Sequence, residues 1–176
     1  MTAPIEKLIG SLKAKGNPSI NHQQFNGLDS IIDEYEVVAN LDQEKLTCLF
    51  SIIKKAYPWA GLSHIEVTKI FIECPASLQL MIESKKSFFS RERKVSVQTS
   101  DARIRQMIQT NQAIVDLFKE APSLVICTTN KILSQSFNYP SRAFVLGKMK
   151  AIPTQDQLAQ LIRFFRELLF ILNKLD

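Results

Sequence analysis

Glycine is scarce in this chain, with five in 176 residues, and proline is moderate at seven. That usage excludes collagen-like and low-complexity architectures and predicts long regular elements joined by short turns. Cysteine is also sparse. Cys48, Cys74 and Cys127 are odd in number and far apart, which excludes a secreted disulfide framework. They read as reduced core residues of a cytoplasmic protein, and delivery of the protein into a host cell is compatible with the same features. Only two histidines are present, His22 and His64, distant from each other and with no Cys or His at ligand spacing. No metal site and no cofactor are therefore expected.

Long apolar runs are missing too. The most hydrophobic stretch, Leu158 to Leu175, is interrupted by Arg163, Arg166, Glu167 and Lys174, so no transmembrane segment is expected. Residues Met1 to Lys7 lack the apolar core of a signal peptide.

What is present is an ordinary globular composition. Hydrophobic residues make up 45% and charged residues 22% of the chain, enough apolar content to build a core and too little net charge for disorder. Length alone suits a single domain over residues 1–176 that needs no metal or disulfide to fold.

Apolar spacing then predicts a mainly α fold: a multi-helix bundle of about six to eight helices. A first helix is expected from Pro4 to Lys15, with Ile5, Leu8, Ile9 and Leu12 on one face. Asn21 and Gln24 have capping-box spacing before the stripe Phe25, Leu28, Ile31, Ile32 and Tyr35. Asp42 is placed to cap a helix carrying Leu46, Leu49, Phe50 and Ile53, which stops before Pro58. Ser63 and Glu66 form a second capping-box pattern, opening a helix toward Cys74 that continues or restarts at Pro75 and runs to Lys85. Thr99 or Ser100 is expected to cap a helix through Ile104, Ile108, Ile114 and Phe118. The last helix has the strongest pattern, with Thr154 and Gln157 at its start and Leu158, Leu161, Ile162, Phe165, Leu168, Leu169 and Leu172 recurring at helical spacing. Its apolar surface exceeds one stripe, which suits either a central core position or a docked partner.

The bundle leaves room for a short β element within residues 91–146. Lys94 to Gln98 alternates polar and apolar, while Leu124–Cys127 and Ala143–Leu146 are short apolar runs that fit a strand or a buried helical turn equally well.

Chemistry motifs are absent. Gly147-Lys148 lacks the earlier glycine and the following hydroxyl of a phosphate loop, and no G-x-G-x-x-G or G-x-S-x-G occurs. Pairing Cys74 or Cys127 with His64 has no local support. Asp33-Glu34 and Glu34-Glu36 read as the solvated face of a helix. No catalytic residue is nominated, and catalysis would require a dispersed site. A helix–turn–helix over Ile65 to Lys86 is disfavoured because its reading helix would present Leu78, Leu80, Met81 and Ile82.

Charge supplies the one local signal. The net charge is +5, and between Met81 and Arg105 seven cations face three anions, so that segment holds four of the five. Lys85, Lys86, Phe88, Phe89, Arg91, Arg93 and Lys94 are the candidate partner-binding residues. The expected function is a non-enzymatic protein-interaction module of adaptor or bacterial-effector type. Another protein is the expected partner, with nucleic acid or an anionic membrane surface as alternatives and a nucleic-acid-binding protein as the second reading. A plain solvated loop anchored by its two phenylalanines is the competing structural explanation.

Overall fold

The structure is a computed structural model, and it describes residues 3–13, 18–26, 30–41, 44–57, 61–86, 93–139 and 142–173. Its framework is an eight-stranded antiparallel sheet, not a helical bundle. In chain order the elements are α1 (Ala3–Lys13), β1 (Ser19–Asn26), β2 (Ser30–Leu41), β3 (Glu44–Tyr57), β4 (Gly61–Glu73), β5 (Leu80–Lys86), β6 (Arg93–Thr99), α2 (Ala102–Thr110), α3 (Gln112–Glu120), β7 (Val125–Thr129), β8 (Phe144–Met149) and α4 (Gln155–Leu172). The strands lie in the order β1-β2-β3-β4-β8-β7-β5-β6. The last strand in the sequence is thus inserted at the centre, joining the β1–β4 meander to the remaining strands.

The expected helices over residues 21–85 are replaced by strands for a physical reason. Leu46, Leu49, Phe50 and Ile53 match helical spacing, but they belong to a strand buried on both faces. Leu46 and Phe50 lie in the main core, and Leu49 lies in a separate cluster with Phe71 and Phe144. A strand covered on both sides shows a nearly continuous apolar run instead of alternation, and short stretches of such a run mimic a helix face. The capping patterns there are cross-strand pairs instead. Asn21 Nδ2 donates to Glu36 Oε2 at 2.9 Å and Gln24 Nε2 to Asp33 Oδ1 at 2.9 Å. Ser63 lies opposite Lys55 in the β3–β4 ladder, so its backbone is paired as a strand. Asp42, the expected cap of the third helix, falls outside the described residues.

Pro75 starts a turn, not a helix: Leu78 N–H donates back to Pro75 O at 3.0 Å. After β6, one expected helix becomes two. Asp101, not Thr99 or Ser100, caps α2, accepting from the N–H groups of Arg103 and Ile104; Asn111 ends α2 and caps α3. Val125–Thr129 and Phe144–Met149, left open by periodicity, are both strands, and Lys94–Gln98 lies within β6. Only at α4 is the predicted capping box present, with Thr154 Oγ1 accepting from Gln157 N–H and Gln157 Oε1 from Thr154 N–H.

Helices cover one face of the sheet. The main core joins Ile5, Leu8 and Ile9 of α1, the inward residues of α2 and α3, and Leu158, Leu161, Ile162, Phe164, Phe165, Leu168, Leu169 and Leu172 of α4 to one set of strand residues, including Phe50, Ile70, Ile82, Ile126 and Val145. Gly147 sits under α4 for a steric reason: a Cβ there would lie 3.3 Å from the Phe165 ring. The excess apolar surface of α4 is therefore mostly consumed inside this core, although Phe170 remains 62% exposed.

Candidate functional site

The basic segment is an edge β-hairpin. In the β5–β6 ladder Lys85 is the direct partner of Lys94, and Lys86 of Arg93. Pleating sends Lys85 and Lys94 away from the helices, on the side of Glu83, and Lys86 and Arg93 to the helical side. Lys85 Nζ lies 2.9 Å from Glu83 Oε1. Like charges directly opposite one another destabilise a sheet, and here two such pairs are adjacent. Phe88, Phe89 and Arg91 fall outside the described residues. Arg103 and Arg105 are not part of the cluster. Arg103 closes on Asp101 at 2.7 Å, and Arg105 donates to Thr99 O at 2.9 Å, so both serve the start of α2.

The sheet face away from the helices carries a second polar arrangement that the sequence reading missed. Far from lying on a solvated helix face, Glu34 is 2% exposed on this side, while its neighbour Asp33, 8% exposed, points to the helical side and is held by Gln24 and Lys54. Residues 131–139 cross this face as a strap, and Glu34 pins it. One carboxylate oxygen accepts from Ser51 Oγ at 3.0 Å; the other accepts from Ser134 Oγ at 2.7 Å, Gln135 N–H at 3.1 Å and Ser136 N–H at 2.8 Å. Burial pushes this carboxyl up, but the bonds from Ser134, Ser136 and Ser51 outweigh it and hold the group below its usual range. Lys69 Nζ donates to Leu133 O, and Tyr139 Oη donates to Glu36 Oε1 at 3.0 Å. The Tyr139 ring meets Phe71 edge-on at 4.9 Å. Ile132, Phe137 and Tyr139 pack on the cluster of Leu49, Phe71 and Phe144.

A cavity of about 210 Å³ remains between the strap and the sheet, with Glu34, Lys69 and Lys148 in its lining beside Ile32, Ile53 and Val67. Burial lowers the Lys69 pKa, Glu34 opposes the shift and Lys148 adds to it. Chemically this is an anchor. The Glu34 carboxylate is engaged at both oxygens by the strap and by Ser51, and a group held as the anion by four donors is poorly suited to taking up a proton. The signal for it in the sequence was faint: an acid flanked by Ile31, Ile32, Tyr35, Val37 and Val38, in a segment rich in β-branched residues.

The remaining reactive residues are dispersed. His22 stacks on Tyr35 at 4.3 Å and lies 3.5 Å from Asp33; His64 is on β4, 3.5 Å from Glu66. All three cysteines are free. Burial pushes the Cys48 thiol up to about 12 and the Cys74 thiol to about 11, and it raises Cys127 against a smaller opposing pull from Lys148. Among the described residues no group of three or more His, Cys, Asp or Glu is placed to hold a metal ion, and no helix is long and apolar enough to cross a membrane. Of the seven nominated site residues, the ladder brings together Lys85, Lys86, Arg93 and Lys94 at one corner of the sheet. The chain matches no protein-family model, no curated protein and no solved structure.

Proposed function

We propose that this protein is a non-enzymatic interaction module, adaptor-like or effector-like, whose β5–β6 hairpin docks an acidic surface of a partner protein. The observation that carries the reading is the pair of like-charge rungs, Lys85 opposite Lys94 and Lys86 opposite Arg93, on an edge strand. Edge strands use single lysines to discourage sheet-to-sheet association. Two directly opposed cationic rungs go beyond that need and cost stability, a cost that an anionic partner would relieve. Poly-L-glutamate serves as the test ligand. Binding should weaken with added salt, and a variant neutralised at Lys85, Lys86, Arg91, Arg93 and Lys94 should lose most of it. Unchanged affinity in that variant removes the hairpin from the account.

A further inference from the structure

The hairpin is one corner of a larger surface. Ladder registers place Lys69, Lys148, Val125, Glu83 and Ser96 in one row across β4, β8, β7, β5 and β6. All of these point away from the helices, since their neighbours Ile70, Gly147, Ile126, Ile82 and Val97 face α4 and the main core. One pleat further along lies a second row. Lys150, one residue past β8, is exposed, and its N–H donates to Ser123 Oγ at 3.2 Å, which fixes it beside the start of β7. Lys85 and Lys94 complete that row.

We infer that the acidic partner seats on this whole cationic floor, with Lys148 and Lys150 contacting it together with Lys85 and Lys94. The inference rests on the proposed docking function and extends it to residues more than fifty positions away in sequence. With strands about 4.8 Å apart, Lys85 on β5 and Lys94 on β6 lie two and three steps from β8, about 10 and 14 Å across the sheet, and two residues along a strand span about 7 Å. That is the footprint of an acidic helix or strand of two to three turns or pairs, not of a single carboxylate. Glu83 is the one carboxylate among the described residues facing out from β5 to β8 on this side, and it is taken by Lys85. Lys94, Lys148 and Lys150 have no ion-pair partner among the described residues. The floor between them is Met81, Val125, Cys127, Ser96 and Gln98. Stacking of nucleic-acid bases calls for aromatic rings, and the described floor has none, which favours a carboxylate-bearing protein over single-stranded nucleic acid. The strap borders this region at Lys69, which donates to Leu133 O, and at Lys148, which lines the cavity beneath the strap but is exposed; the strap's apolar side chains pack on Leu49, Phe71 and Phe144.

The experiment compares poly-L-glutamate affinity at low salt for wild type, Lys148→Gln/Lys150→Gln, Lys85→Gln/Lys94→Gln, and a control pair Lys119→Gln/Lys131→Gln. Each floor pair should weaken binding roughly tenfold and the control less than about twofold. Maleimide labelling of Cys127, which lies on the floor, should slow when poly-L-glutamate is bound. If Lys148→Gln/Lys150→Gln binds as wild type while Lys85→Gln/Lys94→Gln does not, the floor is refuted and the hairpin reading survives. If neither pair matters, both fall. If an oligothymidylate or phosphatidylserine vesicles bind more tightly than poly-L-glutamate under the same conditions, the partner class is wrong.

Discussion

The two faces of the sheet are built on different principles. The helical face is built round an apolar core that joins the helices to inward strand residues, with charge at its borders in the Asp33–Lys54 pair and in Lys86 and Arg93. The opposite face is divided: its left half is closed by a short strap held through Glu34, Glu36 and Lys69, and its right half is an open floor of lysines. Hydrophobic burial is non-directional and tolerates many arrangements, so the helical face supplies bulk stability. Hydrogen bonds to a buried carboxylate are directional, so the strap depends on a few atoms. The difference implies that damage to the first face unfolds the protein, while damage to the second changes what the surface does.

The largest effect should therefore come from the helical face. Phe165 is fully buried and packs against Gly147 and Phe164. Phe165→Ala should destabilise the protein by about 3–5 kcal/mol through lost burial plus the cavity left behind. Urea denaturation followed by far-ultraviolet circular dichroism measures this. A loss below about 1 kcal/mol would mean that α4 is not the central element of the core.

Next comes the strap. Glu34→Gln keeps the shape but removes the charge, and it places an amide nitrogen among donors. It should cost about 2–3 kcal/mol. The effect should be local, so hydrogen exchange at the Gln135 and Ser136 amides should rise more than exchange in β3. Equal acceleration throughout would show that the strap and the core unfold as one unit. The same carboxylate predicts a pH dependence. Its pKa in the folded state lies below the ordinary 4.5, so its contribution is complete above about pH 4.5 and is lost as pH falls through the lower folded value. Wild type should therefore lose strap protection on acidification, and Glu34→Gln should show no such step.

Legibility followed the same division. The α4 helix could be read because its apolar stripe and its Thr154–Gln157 box agree. The central strands could not. β2, β3 and β4 are covered on one face by helices and on the other, in part, by the strap, so Leu49 and Phe71 are as buried as Phe50 and Ile70. Local spacing carries no record of which side each residue faces. The capping-box patterns at Asn21 and Ser63 failed for a related reason: short polar pairs suit a ladder rung as well as a helix start, and only the tertiary pairing decides. The enrichment of Ile, Val, Thr, Phe and Tyr from residue 30 to 73 was the available counter-signal. At the candidate site, composition located the basic hairpin but not its continuation. Lys148 and Lys150 are separated from Lys94 by more than fifty residues and come onto the same face, three strands away, only because β8 is inserted beside β7. The buried role of Glu34 depends on residues a hundred positions away.

The smallest predicted effect tests why the floor is charged at all. Lys94→Glu converts the rung with Lys85 from like to opposite charge. An opposite-charge cross-strand pair should stabilise the hairpin by about 0.2–1 kcal/mol relative to the wild-type rung, most visibly at low salt. If the lysines are kept for docking, the same substitution should weaken poly-L-glutamate binding by more than the roughly threefold expected of one neutralised lysine, because it also adds a repulsive carboxylate. Stability and binding would then move in opposite directions in a single variant. If the charge only guards the edge strand against association, Lys94→Glu should raise stability and leave binding where it was, since a glutamate guards an edge as well as a lysine does. The open face would then be a protected edge, and its contrast with the helical face would be one of solubility alone.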